Sequence, residues 1–430
     1  VPDQFRMPGD IELSDVIIVG GSGEALDVTD MVFDISIFEA IGQIALYGRV
    51  QLVDAENVLG RFSLTGQELF SFTVKYGLDI TKTFQFFITK LDSLDYEPPG
   101  LVATYTFTIV SRTAFINAGM LVSQAFEGTI DKIIEKIYED YLGVELRYKD
   151  ECSGNYRCVV PNMNPMDAIS WLEKRAIDSN GVPIRVVNTL NNGTSLESFD
   201  TMFQRNSMEE FFINMNPTEK GSEQGTAYEI RNIFQKPQTF HMKQHSNAYN
   251  QMMYGTHGAT FVNIDSVNKT SSILEFDGED EFNKKPRLSK NLAINTNFKY
   301  GENETPMTKT FKTRNIMSYH TGPSFGDEFL NYNSDFNSTV SARRNYRGIL
   351  STYMYEMSIA GRWDIECGSV IWLNFPTHKL QDKSSPESLI DNKKSGRYLV
   401  TACNHNFKSD KYTLTLEICT DGIGEEYGVE

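Results

Sequence analysis

The chain has 430 residues, too many for one compact core and enough for roughly two to four domains. Charged residues at 23% and hydrophobic residues at 40% exclude the disordered and fibrous classes. A formal charge of -17 argues against a sequence-reading nucleic-acid binder, which needs clustered Lys and Arg; an acidic surface facing DNA would keep it from sticking, as suits a conduit.

Twenty-eight Phe and twenty Tyr favour pleated sheet and large interfaces over a helical bundle. Five cysteines, Cys152, Cys158, Cys367, Cys403 and Cys419, are odd in number and scattered, which predicts free thiols and assembly in a reducing compartment. No apolar run approaches the roughly 20 residues that span a bilayer, and VPDQFRMPGD lacks a signal pattern, so a soluble protein without a membrane anchor is expected.

In chain order, VIIVGGSGEALDV first suggests a phosphate loop at Gly21 and Gly23. Leu26 occupies the position that needs Gly or Ala, and a strand pattern follows where a helix is required, so the segment reads as a turn. From Met31 to Val110 the period is two. Met31, Phe33, Ile35 and Ile37 form one face, as do Phe70, Phe72, Val74 and Tyr76. In LVATYTFTIV, Leu101, Ala103, Tyr105, Phe107 and Ile109 oppose Thr104, Thr106 and Thr108, the signature of a half-buried strand. Successive strands of this kind predict a barrel or sandwich.

Near Thr129 the period becomes helical: Ile130, Ile133, Ile134, Ile137, Tyr138 and Tyr141 share a face, with Thr129 as N-cap and Gly143 as terminator. A second helix is expected from Asn164 and Pro165 through Ile169, Leu172 and Ala176 to Gly181. From Gly221 to Asn337 the periodicity is weak and reads as loops and short strands. A third helix is predicted from Thr339 to about Leu350. Strands then return, ending with Tyr412, Leu414, Leu416 and Ile418 on one face and Thr413, Thr415, Glu417 and Cys419 on the other. The polar connection QDKSSPESLIDNKKS reads equally as a contact surface or a disordered tip.

Chemical motifs are absent. His241 and His245 in HMKQH have zinc-helix spacing, but Met242 stands where the general base belongs. Cys403 and His405 have the spacing of any inward-facing strand pair, and Glu209–Glu210 and Glu279–Asp280 are unremarkable in an acidic chain. No nucleophile elbow or cysteine-protease signature occurs. No catalytic residue, metal or cofactor is assigned.

The segment DMVFDISIFEAIGQIALYGRVQLVDAENVLGRFSLTGQELFSFTV, above all Leu46, Tyr47, Gly48 and Arg49, resembles the first barrel of T-even type baseplate hub proteins. GTIDKIIEKIYEDYLG and VPNMNPMDAISWLEKRA resemble that family's two middle helices. The C-terminal strands, through Gly396, Tyr398, His405, Phe407 and Tyr412, resemble the final barrel shared with type VI secretion spike proteins.

The resemblance implies a β-rich α+β chain with two antiparallel tail-tube-like barrels and an inserted mixed α/β region. Its divisions would be a barrel over 1–115, a two-helix α/β domain over 116–220, a loop-rich insertion over 221–338, and a helix plus second barrel over 339–430. It further implies a non-enzymatic homotrimer forming a pseudo-sixfold ring in the virion, assembled in the host cytoplasm. The partners would be the tail tube, central spike, tape-measure and inner baseplate proteins, with transient passage of DNA. The face carrying Thr104, Thr106 and Thr108 would line the passage or contact a neighbour. Two rival readings are a tail-associated cell-wall or glycan hydrolase and a receptor-binding tail protein.

Overall fold

Alternation in the first 110 residues produces seven strands: β1 (Ile11–Val19), β2 (Ala25–Asp27), β3 (Val32–Ala40), β4 (Tyr47–Asp54), β5 (Leu69–Tyr76), β6 (Ile80–Glu97) and β7 (Val102–Val110). The computed structural model describes residues 9–21, 23–57, 59–62, 64–76, 80–97, 102–213, 234–265, 269–292, 299–300, 305–306, 315–319, 336–377 and 390–424. Leu101, expected at the head of one strand face, lies outside them. Among them no helix is long and apolar enough to cross a membrane, and all five cysteines are buried free thiols.

The middle of the chain holds α1 (Arg112–Gly119), β8 (Val122–Gly128), α2 (Ile130–Ile137), β9 (Tyr148–Lys149), β10 (Tyr156–Met163), α3 (Pro165–Glu173), β11 (Ile184–Thr189), β12 (Gly193–Ser198) and α4 (Phe199–Gln204). Next come β13 (Glu210–Phe212), β14 (Thr239–His245), α5 (Ala248–Tyr254), β15 (Gly258–Asp265), β16 (Thr270–Asp277) and α6 (Gly278–Lys284). Three two-residue strands follow at Asn291–Leu292, Lys299–Tyr300 and Thr305–Pro306 (β17–β19), then β20 (Asn315–Tyr319) and α7 (Phe336–Leu350). The C-terminal part consists of β21 (Tyr353–Ala360), β22 (Val370–Asn374), β23 (Gly396–Phe407), β24 (Tyr412–Thr420) and β25 (Gly422–Ile423).

The chain is β-rich, as expected, but the described pairing does not give two closed barrels. One thirteen-stranded sheet runs β14-β21-β24-β23-β3-β4-β7-β6-β5-β1-β2, with β22 and then β13 attached beside β23. The cause is β23. On one edge its first residues pair with β22, from Leu399–Val370 to Gly396–Leu373, and its last with β3, from Ala402–Ala40 to Phe407–Ile35. Its other edge pairs with β24, with a bulge between Val400 and Ala402 where the edge changes partner. One strand thus serves both halves and fuses them into a single sheet.

Each half nevertheless curls back on itself. The start of β1 reaches the β23–β24 hairpin through an Asp10–Lys411 bridge and through the Ile11 and Leu13 N–H groups, 3.1 and 3.4 Å from the carbonyls of Asp410 and Ser409. In the other half the Phe212 N–H donates to Gln235 O, ahead of β14, at 3.0 Å. Each curl encloses its own core. The first contains Ile35, Val50, Phe72, Phe86 and Ile109 together with Trp363, Phe407 and Tyr412 from the far end of the chain. The second contains Phe203, Phe211, Tyr346, Leu373, Tyr398 and Leu416. A third core, with Ile134, Tyr138, Ile169 and Leu196, belongs to the middle segment and takes in Ile44 from the first half.

Local expectations met physical competition. In β3 a bulge between Val32 and Asp34 breaks the alternation, so Phe33, expected inward, is exposed while Ile35 and Ile37 are buried. Thr129 holds the N-cap position of α2 without a capping hydrogen bond from its side chain, and a five-residue π-turn, Tyr138–Leu142, extends the helix to Gly143 at φ +63°. The second helix ends at Glu173, well before Gly181, which instead closes a later turn in which its N–H donates to Asp178 O. Asn164 does not cap α3 by its own side chain; Asn117 Oδ1 accepts from Met166 N at 2.8 Å while Asn164 Nδ2 donates to Asn117 O. In the weakly periodic stretch, β14 joins the main sheet on β21, and β15, β16 and β20 form a small sheet of their own.

Gly48 occupies a close approach of β4 to β3 and β7. A Cβ there would lie 2.7 Å from Ser36 O and from Ile37 Cδ1, and 3.0 Å from Ile109 Cγ1. Because Ser36 O is backbone it cannot swing aside, so Gly48→Ala is expected to lower unfolding free energy by about 1–3 kcal/mol in urea titration. A variant as stable as the parent would show that the strands separate freely here.

Candidate functional site

Period-two alternation gives every strand of the main sheet an outward row, and pairing sets those rows side by side. Across β7, β4, β3, β23, β24 and β21 the register aligns Thr106 with Gln51, Gln51 with Asp34, Ser36 with Asn406, Asn406 with Thr413, and Thr415 with Ser358. One polar face therefore runs from the first half of the sheet to the second. Asn406 Nδ2 donates to Asp34 Oδ1 and to Ser36 Oγ, and Ser36 Oγ donates to Asp34 Oδ2 at 3.0 Å. At the β14 end Lys243 Nζ stands 2.8 Å from Glu417 and 3.1 Å from Glu356. Those two carboxylates raise its pKa, the hydrogen bond to Glu417 leading.

Thr104, Thr106 and Thr108 lie on this face, and their surroundings differ. Thr108 Oγ1 donates to Asp92 at 2.5 Å, the main reason the Asp92 carboxyl is held below its usual range. Thr104 and Thr108 are half-buried, whereas Thr106 is only 4% exposed, flanked by Gln51 of β4 and Ser93 of β6. Of the Leu46–Arg49 step, Leu46 is buried, Tyr47 and Arg49 project from the polar face, and Gly48 allows the close strand contact described above.

Beneath the face lies a buried junction. Alternation after Ile35 and Ile37 sends Glu39 inward, where its side chain is fully enclosed. Glu39 Oε1 accepts from the Leu190 N–H and stands 3.0 Å from His405 Nε2; Oε2 accepts from the Cys367 N–H at 3.2 Å. His405 Nδ1 lies 2.7 Å from Tyr412 Oη, which donates to Arg362 O at 3.1 Å. The Arg362 guanidinium in turn binds Glu209 at 2.7 Å and Asp364. Burial draws the Glu209 carboxyl up, but hydrogen bonds from Arg362 and Gln235 outweigh it and hold the group below its usual range. Phe407 stacks on Tyr412 with centroids 4.7 Å apart and also meets Phe72 and Trp363.

Five separate parts of the chain meet here: β3, the β11–β12 turn, the loop 361–369, β23 and β24. The junction has the residue types of an acid-base site without access for a substrate, since Glu39, His405, Cys367 and Cys403 are each 3% exposed or less. Burial, reinforced by Glu39, pushes the Cys367 and Cys403 thiols well above their usual pKa, so they stay protonated.

The other residues singled out in the sequence are dispersed. Gly396 and Tyr398 lie at the opposite end of β23 in the second half, where Tyr398 Oη donates to Lys394 O at 2.7 Å. His241 and His245 sit on a strand, not a helix, and Gly21 and Gly23 belong to the β1–β2 hairpin turn. Among the described residues no group of three or more His, Cys, Asp or Glu is placed to hold a metal. Sequence reasoning passed over Glu39 and Arg362. For Glu39 a signal was present, because its parity matches Ile35 and Ile37; Arg362 acts through a loop carbonyl that no periodicity reveals.

No protein-family model and no curated protein matches this sequence. Solved structures do match its fold. The chain is similar to a 43 kDa tail protein of prophage MuSo2 from Shewanella oneidensis (TM-score 0.52, 9% identity, covering 95% of this chain and 100% of that one). It is equally similar to a tail protein from Neisseria meningitidis MC58 (TM-score 0.52, 8% identity, 96% and 98% covered). A Francisella PdpA-VgrG complex matches at TM-score 0.45 and 12% identity, over 98% of this chain and 54% of that one. The fold is thus that of phage-type tail proteins over nearly the whole chain.

Proposed function

We propose that the chain is a structural subunit of a contractile phage tail, a baseplate hub protein that assembles as a trimer. The carrying observation is one sheet wrapped around two apolar cores, each curled to within a few hydrogen bonds of closure, in a fold shared end to end with two tail proteins. Two barrel-like units per chain and three chains give six units around an axis, matching a sixfold tube above and a threefold spike below. The role requires no turnover. The polar face, on which Lys243 is already paired to Glu356 and Glu417, suits a passage through which tape-measure protein and DNA slide without adhering.

Sheet edges support association. Pairing of β5 with β6 stops at Phe87, so from Thr89 onward β6 has no strand on that edge among the described residues, and Leu91, Leu94 and Tyr96 are exposed along it. Apolar edge strands of this kind need covering. Native mass measurement with negative-stain imaging is expected to give a trimeric ring with an open centre. Leu94→Asp is expected to yield monomers with an unchanged melting transition. A monomer at every concentration, or peptidoglycan clearing abolished by one Asp or Glu substitution, would overturn the proposal. On virions, labelled antibody is expected on the tail axis, not at fibre tips.

A further inference from the structure

In a chain of net charge -17, one cleft of about 760 Å³ is basic. It lies where α3, β11, α7 and the β3–β23–β24 part of the sheet meet. Its wall carries Lys174 and Arg175 after α3, Arg185 of β11, and Arg343, Arg344 and Arg347 of α7. Glu417 is the sole carboxylate on the lining, and it is held by Lys243 and the Thr401 hydroxyl.

Behind the wall, Glu173 pairs with Arg185 at 3.3 Å. Among the described residues no carboxylate forms an ion pair with Arg343, Arg344 or Arg347; Arg343 donates to Lys174 O and Arg344 to Tyr254 O. The crowding has a physical signature. Burial, then Arg185 and Arg347, hold the Arg343 pKa below its usual value despite Glu173. Burial brings Arg175 down to about 10 against the opposing pull of Tyr156 and Cys158, with Arg343 a minor contributor. Gly42 sharpens the wall: a Cβ there would lie 2.1 Å from an Arg185 terminal nitrogen, so the guanidinium fits against bare backbone.

Six cations on one wall, three of them on α7 without a carboxylate partner among the described residues, are arranged for an anion. The floor between them is apolar, formed by Phe199, Tyr346, Leu350 and Met354. A bare phosphate or nucleic-acid backbone makes no use of such a floor. An acidic peptide with an apolar side chain uses both surfaces, its carboxylates meeting the guanidiniums and its anchor the floor.

We propose that this cleft docks a carboxylate-rich polypeptide segment bearing an apolar anchor, supplied by a partner protein. The assignment stands apart from the ring reading, since a chain that fails to trimerise still presents the cleft.

The test uses the full chain and a fluorescein-labelled peptide of four glutamates interrupted by one Phe and one Leu, followed by anisotropy. Saturable binding at low salt is expected. Arg344→Glu and Arg347→Glu, both at exposed positions, are expected to weaken it at least about tenfold. Lys132→Glu, on the exposed side of α2, is expected to leave it unchanged. Replacing the Phe and Leu of the peptide by Ser is expected to weaken binding about fivefold or more, and raising salt should weaken it further. Melting curves check that each variant is folded. Absence of saturable binding, equal binding by the arginine variants, or displacement by inorganic tripolyphosphate or an oligonucleotide as readily as by unlabelled peptide would each overturn the proposal.

Discussion

Glu39→Ala is expected to destabilise the protein by about 3–5 kcal/mol, an effect at the upper end for a single side chain. The carboxylate is wholly enclosed, accepts from the Leu190 N–H and the Cys367 N–H, and stands 3.0 Å from His405 Nε2. Alanine removes the acceptor without admitting water, so the buried Cys367 amide and the part-buried Leu190 amide lose their partner together. Each such loss is worth about 1–3 kcal/mol. Glu39→Gln keeps one carbonyl oxygen and is expected to lose roughly half as much. Hydrogen exchange locates the effect: the Leu190 and Cys367 amides, which tie the β11–β12 turn and the loop 361–369 to β3, should lose protection before the rest of the sheet. An alanine variant within about 0.5 kcal/mol of the parent would show that the junction contributes nothing to holding the segments together.

That junction also explains what the sequence could and could not disclose. Strand parity was legible wherever the ladder is regular. Phe70, Phe72 and Val74 point inward as the alternation demands, and Ala103, Tyr105, Phe107 and Ile109 do the same. It failed at Phe33, because a bulge is a property of the pair of strands and leaves no mark in one of them. Helix positions were readable from apolar spacing, but the caps were not. Asn117 satisfies the start of α3 from 47 residues before Asn164, a distance at which local pattern carries no information. The largest miss was topological. β23 reads as an ordinary strand, and nothing in GRYLVTACNHNF announces that its two ends pair with β22 and β3 along the same edge.

The arginines of the cleft illustrate the same boundary between local and non-local information. Arg343 and Arg347 are four apart on α7, a spacing that places them on one helix face and could have been marked from the sequence. Arg185 and Arg175 come from elements more than 150 residues earlier, and only folding brings them to that face. Six of the forty Lys and Arg residues, scattered along an acidic chain, are thus brought to one cleft.

Because the far end of the chain completes the first core, Phe407→Ala is expected to cost about 3–5 kcal/mol, and its consequences should appear at the opposite end of the sequence. Phe407 is fully buried, and its ring lies 5.7 Å from Phe72, 5.9 Å from Trp363 and 4.7 Å from Tyr412. Truncation leaves a cavity among rings that are themselves fixed by neighbours, so little of it can collapse. In a double-mutant cycle with Phe72→Ala, urea titrations should reveal a coupling of about 0.5–1.5 kcal/mol, since the two rings touch. The same reasoning predicts that residues 1–115 alone do not fold. They would lack Trp363, Phe407 and Tyr412 from their core and β23 from the edge of β3. A fragment with dispersed amide resonances and a cooperative melt, or a Phe407→Ala variant leaving Phe72 and its neighbours as protected as before, would show the first half to be independent. A dependent first half instead makes the two curls one mechanical unit, because a load on either is carried into the other through β23.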